Sequence, residues 1–124
     1  MKNIGVGSSL INELGQNNAL LDGRVLSINL YANNSSVTLQ LDIQPRAGSL
    51  SGILRLVFQN VKEFYFNYED EVTFFYIQRY KLFQKKEGDY YLCIDPFDET
   101  QIVSENDNGV VLAENISGIL LNDQ

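Results

Sequence analysis

Apolar and polar side chains alternate along much of the chain, and this period of two is typical of half-buried β-strands. The clearest example runs over residues 37–43, and the same alternation returns at 54–58 and 63–68. We therefore expect the apolar residues of these three segments to form the core of the protein. They are Val37, Leu39, Leu41, Ile43, Leu54, Leu56, Phe58, Phe64 and Phe66.

Four further segments are rich in β-branched, aliphatic and aromatic residues and are bounded by turn-forming residues, which predicts additional strands. They cover residues 24–32, 72–83, 90–95 and 110–121. Residues 85–89 predict a hairpin loop, and Asn108-Gly109 carries the sequence signal of a tight turn before the last strand. The periodicity of 72–83 is weak, so a helix remains an alternative there.

The N-terminal part carries the one pattern that predicts a helix. Ser8 or Ser9 is a suitable N-cap, an apolar stripe starts at Leu10, and Gly15 is a suitable residue after the C-terminus. The sequence therefore predicts a mainly β fold, borderline α+β. We expect an antiparallel sandwich or strongly curled sheet of about seven strands with one short N-terminal helix, in a single domain over residues 1–124.

The residue types present exclude several kinds of chemistry. The chain has no histidine, which removes histidine-based catalysis and metal ligation, and Cys93 alone can form neither an internal disulfide nor a cysteine zinc site. An EF-hand loop aligned on Gly109 would place Ser104 and Asn115 where acidic ligands are required. No nucleotide-binding motif is present. We therefore predict a protein that is not an enzyme and that uses no cofactor or metal.

The negative charge of the chain is concentrated in its last third. Of 16 acidic and nine basic residues, residues 87–124 hold nine acids and no base, whereas 1–86 have a net charge of +2. This balance argues against nucleic-acid and anionic-membrane partners, which attract positive surfaces. It favours a basic protein partner instead. The acids predicted to contact that partner are Asp98, Glu99, Glu105 and Asp107.

Two other features bear on location and contacts. Residues 1–7 contain no apolar stretch of signal-peptide length, and the apolar runs are far shorter than the roughly 20 residues that span a bilayer. We therefore expect a cytoplasmic protein. Eleven of the 14 aromatic residues fall between positions 64 and 91. Most of these belong in the core, but tyrosines such as Tyr65, Tyr80 and Tyr90 could anchor a protein interface.

Three short stretches together resemble a family of small, β-rich bacterial proteins encoded beside polymorphic or contact-dependent toxins. They are residues 21–28 (LDGRVLSI), 91–99 (YLCIDPFDE) and 104–108 (SENDN). The resemblance implies an immunity protein, which binds and blocks a cognate toxin, often a nuclease, and has no catalytic residue. Relatives carry a histidine before the aspartate of the first stretch, where this chain has Leu21, so any role of that histidine is missing here.

Two alternatives remain open from the sequence. A small-ligand or carbohydrate-binding β module would use aromatic residues as platforms and acids to bind hydroxyl groups. A carboxylate-dependent hydrolase would need two facing acids, for which Asp95, Asp98 and Glu99 are candidates. An irregular calcium site could also use these acids, but acids in a proline-containing turn are more often solvated.

Overall fold

The computed structural model describes residues 1–70 and 75–121, and it confirms the mainly β fold with one short helix. Seven antiparallel strands form one unclosed sheet rather than the two layers of a sandwich. The helix is α1 (Ser8–Gly15), and the strands are β1 (Lys2–Val6), β2 (Arg24–Asn33), β3 (Ser36–Gln44), β4 (Ile53–Tyr65), β5 (Lys81–Gln84), β6 (Tyr90–Asp95) and β7 (Asn108–Leu121). No helix in the described part is long and apolar enough to cross a membrane.

The last strand is the centre of the sheet. The strand order is β2-β3-β4-β7-β6-β5, and β1 pairs with β7 outside this path. One edge of β7 pairs with β4 along most of its length, while its other edge pairs first with β6 and then with β1. The sequence did not predict β1, because residues 2–6 are short and lack alternation.

One face of the sheet, here called the helix face, packs against α1 and the residues that follow it. Leu10 and Leu14 of α1 are fully buried, as is Leu20 beyond the helix. A Cβ atom on Gly118 of β7 would lie 2.6 Å from Leu10 Cδ1, so glycine allows the helix to approach the sheet closely. The sheet contributes these buried residues to the same core: Val25, Leu39, Leu41, Ile43, Leu54, Leu56, Phe58, Leu82, Leu92, Ile94, Val111, Ala113 and Ile116.

The predicted core is correct for six of nine residues, all in β3 and the first half of β4. Val37 and Phe66 are half-buried, but Phe64 is 46 % exposed, so its placement in the core is wrong. Phe64 pairs with Val111 after a β-bulge between Val61 and Glu63. It lies one residue from the end of β4, where its side chain remains largely uncovered.

Helix α1 is where the sequence predicts it, but its start and end differ from the prediction. The residue before the helix is Gly7, with φ +61°, and no side chain caps the helix. Ser9 instead donates its hydroxyl to the Val6 carbonyl at 2.8 Å. Gly15 is the last helical residue rather than the residue after the helix.

Two strand predictions need correction. Residues 72–74 lie outside the described residues, and 75–80 form neither an α-helix nor a strand of the sheet, apart from one bridge between Tyr76 and Arg24. Asn108-Gly109 does not form a turn but begins β7. The turn precedes it, where the Asp107 N–H donates to the Ser104 carbonyl at 3.0 Å.

Candidate functional site

The loop that joins β6 to β7, residues 96–107, covers part of the other face of the sheet, here called the loop face, where it contacts Lys81 of β5 and Tyr91 of β6. We call this segment the acidic loop. Strand pairing aligns Lys81, Cys93 and Val110 across β5, β6 and β7, and cross-strand partners point to the same side of a sheet. Tyr91 shares this face and packs with Cys93 and Val110 in a small buried cluster. The acidic loop lies over these residues.

A buried ion pair joins the acidic loop to the sheet. Lys81 and Asp107 are 0 % and 3 % exposed, and they are the two buried charged residues in the described part of the chain. Lys81 Nζ lies 3.1 Å from each carboxylate oxygen of Asp107. Tyr91 donates its phenol hydroxyl to Asp107 Oδ2 at 2.6 Å. Lys81, Tyr91 and Asp107 are named the buried cluster below.

Asp107 also accepts hydrogen bonds from backbone amides at two separate points of the acidic loop. The Phe97 N–H donates to Oδ1 at 2.9 Å, and the Ser104 N–H donates to Oδ2 at 3.0 Å. Burial raises the pKa of Asp107, but hydrogen bonds from Tyr91, the two amides and Lys81 lower it by more. The net pKa lies below the ordinary aspartate value, so this carboxylate is charged at neutral pH.

Lys81 makes two further contacts with the acidic loop. Its Nζ donates to the Ile102 carbonyl at 2.6 Å and lies 3.0 Å from Asp98 Oδ1. Burial lowers the pKa of Lys81, but hydrogen bonds with Asp98 and Asp107 raise it by more. The ammonium group is therefore charged and holds three separate points of the loop. Within the described residues, no buried side-chain nitrogen or oxygen lacks a hydrogen-bond partner.

Two further titratable groups beneath the acidic loop, those of Tyr91 and Cys93, are neutral. Burial, together with the hydrogen bond to Asp107, raises the pKa of the Tyr91 phenol. Burial raises the pKa of the Cys93 thiol to about 12, and its Sγ lies 3.0 Å from the Asn108 carbonyl oxygen. Cys93 is a free, fully buried cysteine. A thiol with so high a pKa has little nucleophilic thiolate at neutral pH.

The four acids predicted to contact a partner occupy different environments. Glu99 is the most accessible, with a side chain 80 % exposed and 4.0 Å from Arg79, and Glu105 is also exposed. Asp98 is 41 % exposed and pairs with Lys81, which together with Thr100 lowers the pKa of its carboxyl. Asp107 is buried, so the expectation that it lies on an exposed contact surface is wrong. Its carboxylate is instead used to hold the loop.

A cleft of about 380 Å³ borders the second half of the acidic loop. Tyr91 and Val110 contribute buried residues to it, and the loop contributes Glu105. Tyr65 and Val103, which are 53 % and 43 % exposed, also line it. We call it the Tyr65 cleft. Glu63 of β4 adds a second exposed carboxylate to its lining.

Another cleft, of about 450 Å³, borders the first half of the loop. It is lined by Glu99 and Gln101 of the loop together with Arg79 and Tyr80. This lining is mixed in charge, because Arg79 lies beside Glu99 and also donates to the Pro96 carbonyl at 3.1 Å. The Tyr65 cleft has no basic residue in its lining, so the two clefts differ in charge.

Sequence reasoning missed three residues of this region, which are Lys81, Tyr91 and Glu63. All three belong to strand segments that it predicted, but nothing in the spacing of Lys81 and Tyr91 indicates a partner 26 and 16 residues away in the acidic loop. One available signal was the alternation Lys81-Leu82-Phe83, which places a lysine on the same side of a strand as a phenylalanine.

Comparisons of the chain with protein-family models, with curated proteins and with solved structures found no match in any of the three. Within residues 1–70 and 75–121, no group of three or more histidine, cysteine, aspartate or glutamate residues is arranged to hold a metal ion. The candidate functional features of the structure are its exposed acids, the Tyr65 cleft and the acidic loop that the buried cluster holds in place.

Proposed function

We propose that this protein is a non-enzymatic inhibitor that binds another protein, and specifically a cytoplasmic immunity protein that neutralises a cognate bacterial toxin. The observation that carries the proposal is the fixed conformation of an acid-bearing loop. Asp107 and Lys81 hold the acidic loop at four points, namely at Phe97, Asp98, Ile102 and Ser104. Glu99 and Glu105 are thereby presented to solvent from a loop that is already ordered.

A preformed loop suits tight binding because little conformational entropy is lost when the partner docks. Exposed carboxylates on such a loop attract a basic partner and raise the rate of association. A nuclease toxin would offer a basic surface, since its cleft must hold phosphate groups. The resemblance of residues 21–28, 91–99 and 104–108 to immunity proteins supports the same function.

The acids of this region are poorly suited to a glycosidase-like mechanism, which supports the choice of binding over hydrolysis. A general acid of that mechanism needs a carboxyl group whose pKa is raised. Hydrogen bonds lower the pKa values of both Asp98 and Asp107 instead. Asp95 and Glu99, the other two candidates, are exposed rather than buried.

The test is co-expression with the product of the neighbouring gene, which the proposal expects to be a toxin, using the variant Glu99→Lys/Glu105→Lys. These two acids are exposed, so reversing their charge spares the buried cluster, whereas reversal of Asp98 would set a cation beside Lys81. We expect weaker protection of the cells and an association rate about tenfold lower at low salt. The difference should shrink as salt screens the charges.

The matched control is Glu13→Lys/Glu114→Lys, which changes the net charge equally at exposed sites outside the acidic loop. It should protect cells as the unchanged protein does. Full protection and unchanged rates with Glu99→Lys/Glu105→Lys would place the interface elsewhere. If the unchanged protein gives no protection, immunity against that toxin is ruled out.

A further inference from the structure

We propose that the Tyr65 cleft receives an arginine side chain from the surface of the partner protein, an inference that rests on the proposed function and gives the chemistry of the contact. Two exposed carboxylates line this cleft, those of Glu63 and Glu105. Neither has an ion-pair partner among the described residues, where the five ion pairs all involve other acids.

The charge next to the cleft does not compensate these two acids. Asp107 also lines the cleft, and its charge is paired with Lys81. Lys81 is shared with Asp98, so the three charged groups leave one net negative charge behind the cleft wall. The cleft and its surroundings therefore favour a cation.

The apolar part of the lining indicates what kind of cation fits. Tyr65 and Val103 expose much of their apolar surface on the cleft, although most apolar side chains of the sheet are buried. A guanidinium group stacks on an aromatic ring, and its aliphatic stem packs on apolar surface. It is also more weakly hydrated than an ammonium group, so it leaves water more readily. These properties favour arginine over lysine.

The experiment uses N-acetyl-arginine amide as the probe and the full ¹⁵N-labelled protein. We expect saturable shifts of the backbone amide signals of Tyr65, Ser104 and Glu105, with N-acetyl-lysine amide binding more weakly. Glu63→Gln/Glu105→Gln should weaken binding of the arginine probe about three- to tenfold. Tyr65→Ala should weaken it about two- to fivefold, as expected for the loss of an exposed cation–π contact.

Two control variants match these changes away from the cleft. Glu13→Gln/Glu114→Gln removes two exposed acids, and Tyr31→Ala removes a tyrosine of similar exposure, 49 %, from β2. Both should bind the arginine probe as the unchanged protein does. Shifts spread over the whole acidic surface, no shift at all, or equal binding of the lysine probe would overturn the inference.

The outcomes separate this inference from the proposed function. If the arginine probe binds in the cleft but the neighbouring toxin is not neutralised, the proposed function as an inhibitor is wrong, whereas the inference that the cleft binds arginine stands. If Glu63→Gln/Glu105→Gln and Tyr65→Ala each neutralise the toxin as well as the unchanged protein does, the proposed function stands and the arginine contact is wrong.

Discussion

The two faces of the sheet are covered in different ways. On the helix face, the buried cluster of side chains from α1 and the strands is entirely apolar. On the loop face, an irregular loop is held by one carboxylate that binds a lysine, a phenol and two backbone amides. A helix satisfies most of its own backbone amides, whereas a loop needs partners for them. Asp107 supplies such partners to the acidic loop.

The apolar contacts of the helix face and the polar contacts of the loop face have different effects. The apolar contacts mainly stabilise the fold, whereas the polar contacts mainly fix the conformation of the loop. Apolar burial is non-directional and scales with the area removed from water, so it fastens α1 without fixing individual atoms. A buried ion pair gives little net stability compared with apolar residues of the same volume, but its hydrogen bonds have defined directions. Directional bonds suit a loop whose exposed acids must meet a partner in one arrangement.

The largest effect is expected from Asp107→Leu on the loop face. The change leaves the Tyr91 hydroxyl and the Phe97 and Ser104 amides without their acceptor, and it removes one of the two acids paired with Lys81. We expect the free energy of unfolding in urea to fall by about 3–5 kcal/mol, as for the loss of one partner of a buried ion pair.

Adding Lys81→Met to this variant shows which lost contact matters. If a buried lysine that retains Asp98 as its one acidic partner is costly, Asp107→Leu/Lys81→Met should be more stable than Asp107→Leu alone, because no buried charge then remains in the cluster. Equal stability of the single and double variants would contradict this role of the ion pair. It would assign the loss to the Tyr91, Phe97 and Ser104 donors instead.

A loss of about 2–5 kcal/mol is expected from Leu56→Ala on the helix face. Leu56 is fully buried between β3 and β7, where it pairs with Leu41 and Gly118, so truncation leaves a cavity. The measurement is urea unfolding. Val57→Ala, at the half-buried next position, is the control and should cost less. Equal losses at the two positions would contradict the assignment of the core to the helix face.

The same contrast explains what the sequence predicted. Alternation in β3 and early β4 identified the six core residues there, because burial on one side of a strand directly produces that pattern. The helix was predicted for a similar reason, since Leu10 and Leu14 are buried on one of its sides. Apolar packing thus leaves a periodic trace that can be read from the sequence.

The loop face leaves no such trace. The acid that holds the loop and the acids that the loop exposes all have carboxylate side chains, and they lie within ten residues of each other in the sequence. Asp107 is buried while Glu105 is exposed, because Asp107 meets Lys81 and Tyr91 in the folded chain. These long-range contacts have no local period, which is why the sequence placed all four acids on the surface.

Stability should fall at acidic pH through Asp107. Its pKa in the folded state lies below the ordinary value of 3.8, so its stabilising contribution is present above about pH 4 and is lost as the pH falls through the folded-state pKa. Urea unfolding at pH values from 2 to 7 measures this loss. Asp107→Asn should show a flatter dependence. An identical slope would assign the acid sensitivity to other carboxyl groups.

At alkaline pH, the stabilising contribution of Lys81 depends on pH in the opposite direction to that of Asp107. Its pKa is raised above the ordinary value of 10.5, so its contribution is complete below that pH and is lost as the pH rises through the folded-state pKa. The pKa of Tyr91 is also raised in the folded state. Above about pH 10 this phenol therefore ionises more readily in the unfolded chain, which favours unfolding. Among the described residues the helix-face core contains no buried ion pair, so this dependence belongs to the loop face.

The smallest effect is expected from an ion pair that shares the loop face but not its burial. Arg55 and Asp42 face each other on β4 and β3, with Nε–Oδ1 and Nη2–Oδ2 distances of 2.8 and 2.9 Å. Their side chains are 32 % and 13 % exposed, so water and salt screen the pair. A double-mutant cycle with Arg55→Met and Asp42→Ala should give a coupling energy of about 0.2–1 kcal/mol, decreasing in high salt.

The cycle for Lys81 and Asp107 should give a larger coupling with little dependence on salt, because both groups are buried. Equal couplings for the two pairs would show that geometry, rather than burial, sets the strength of ion pairs on this face.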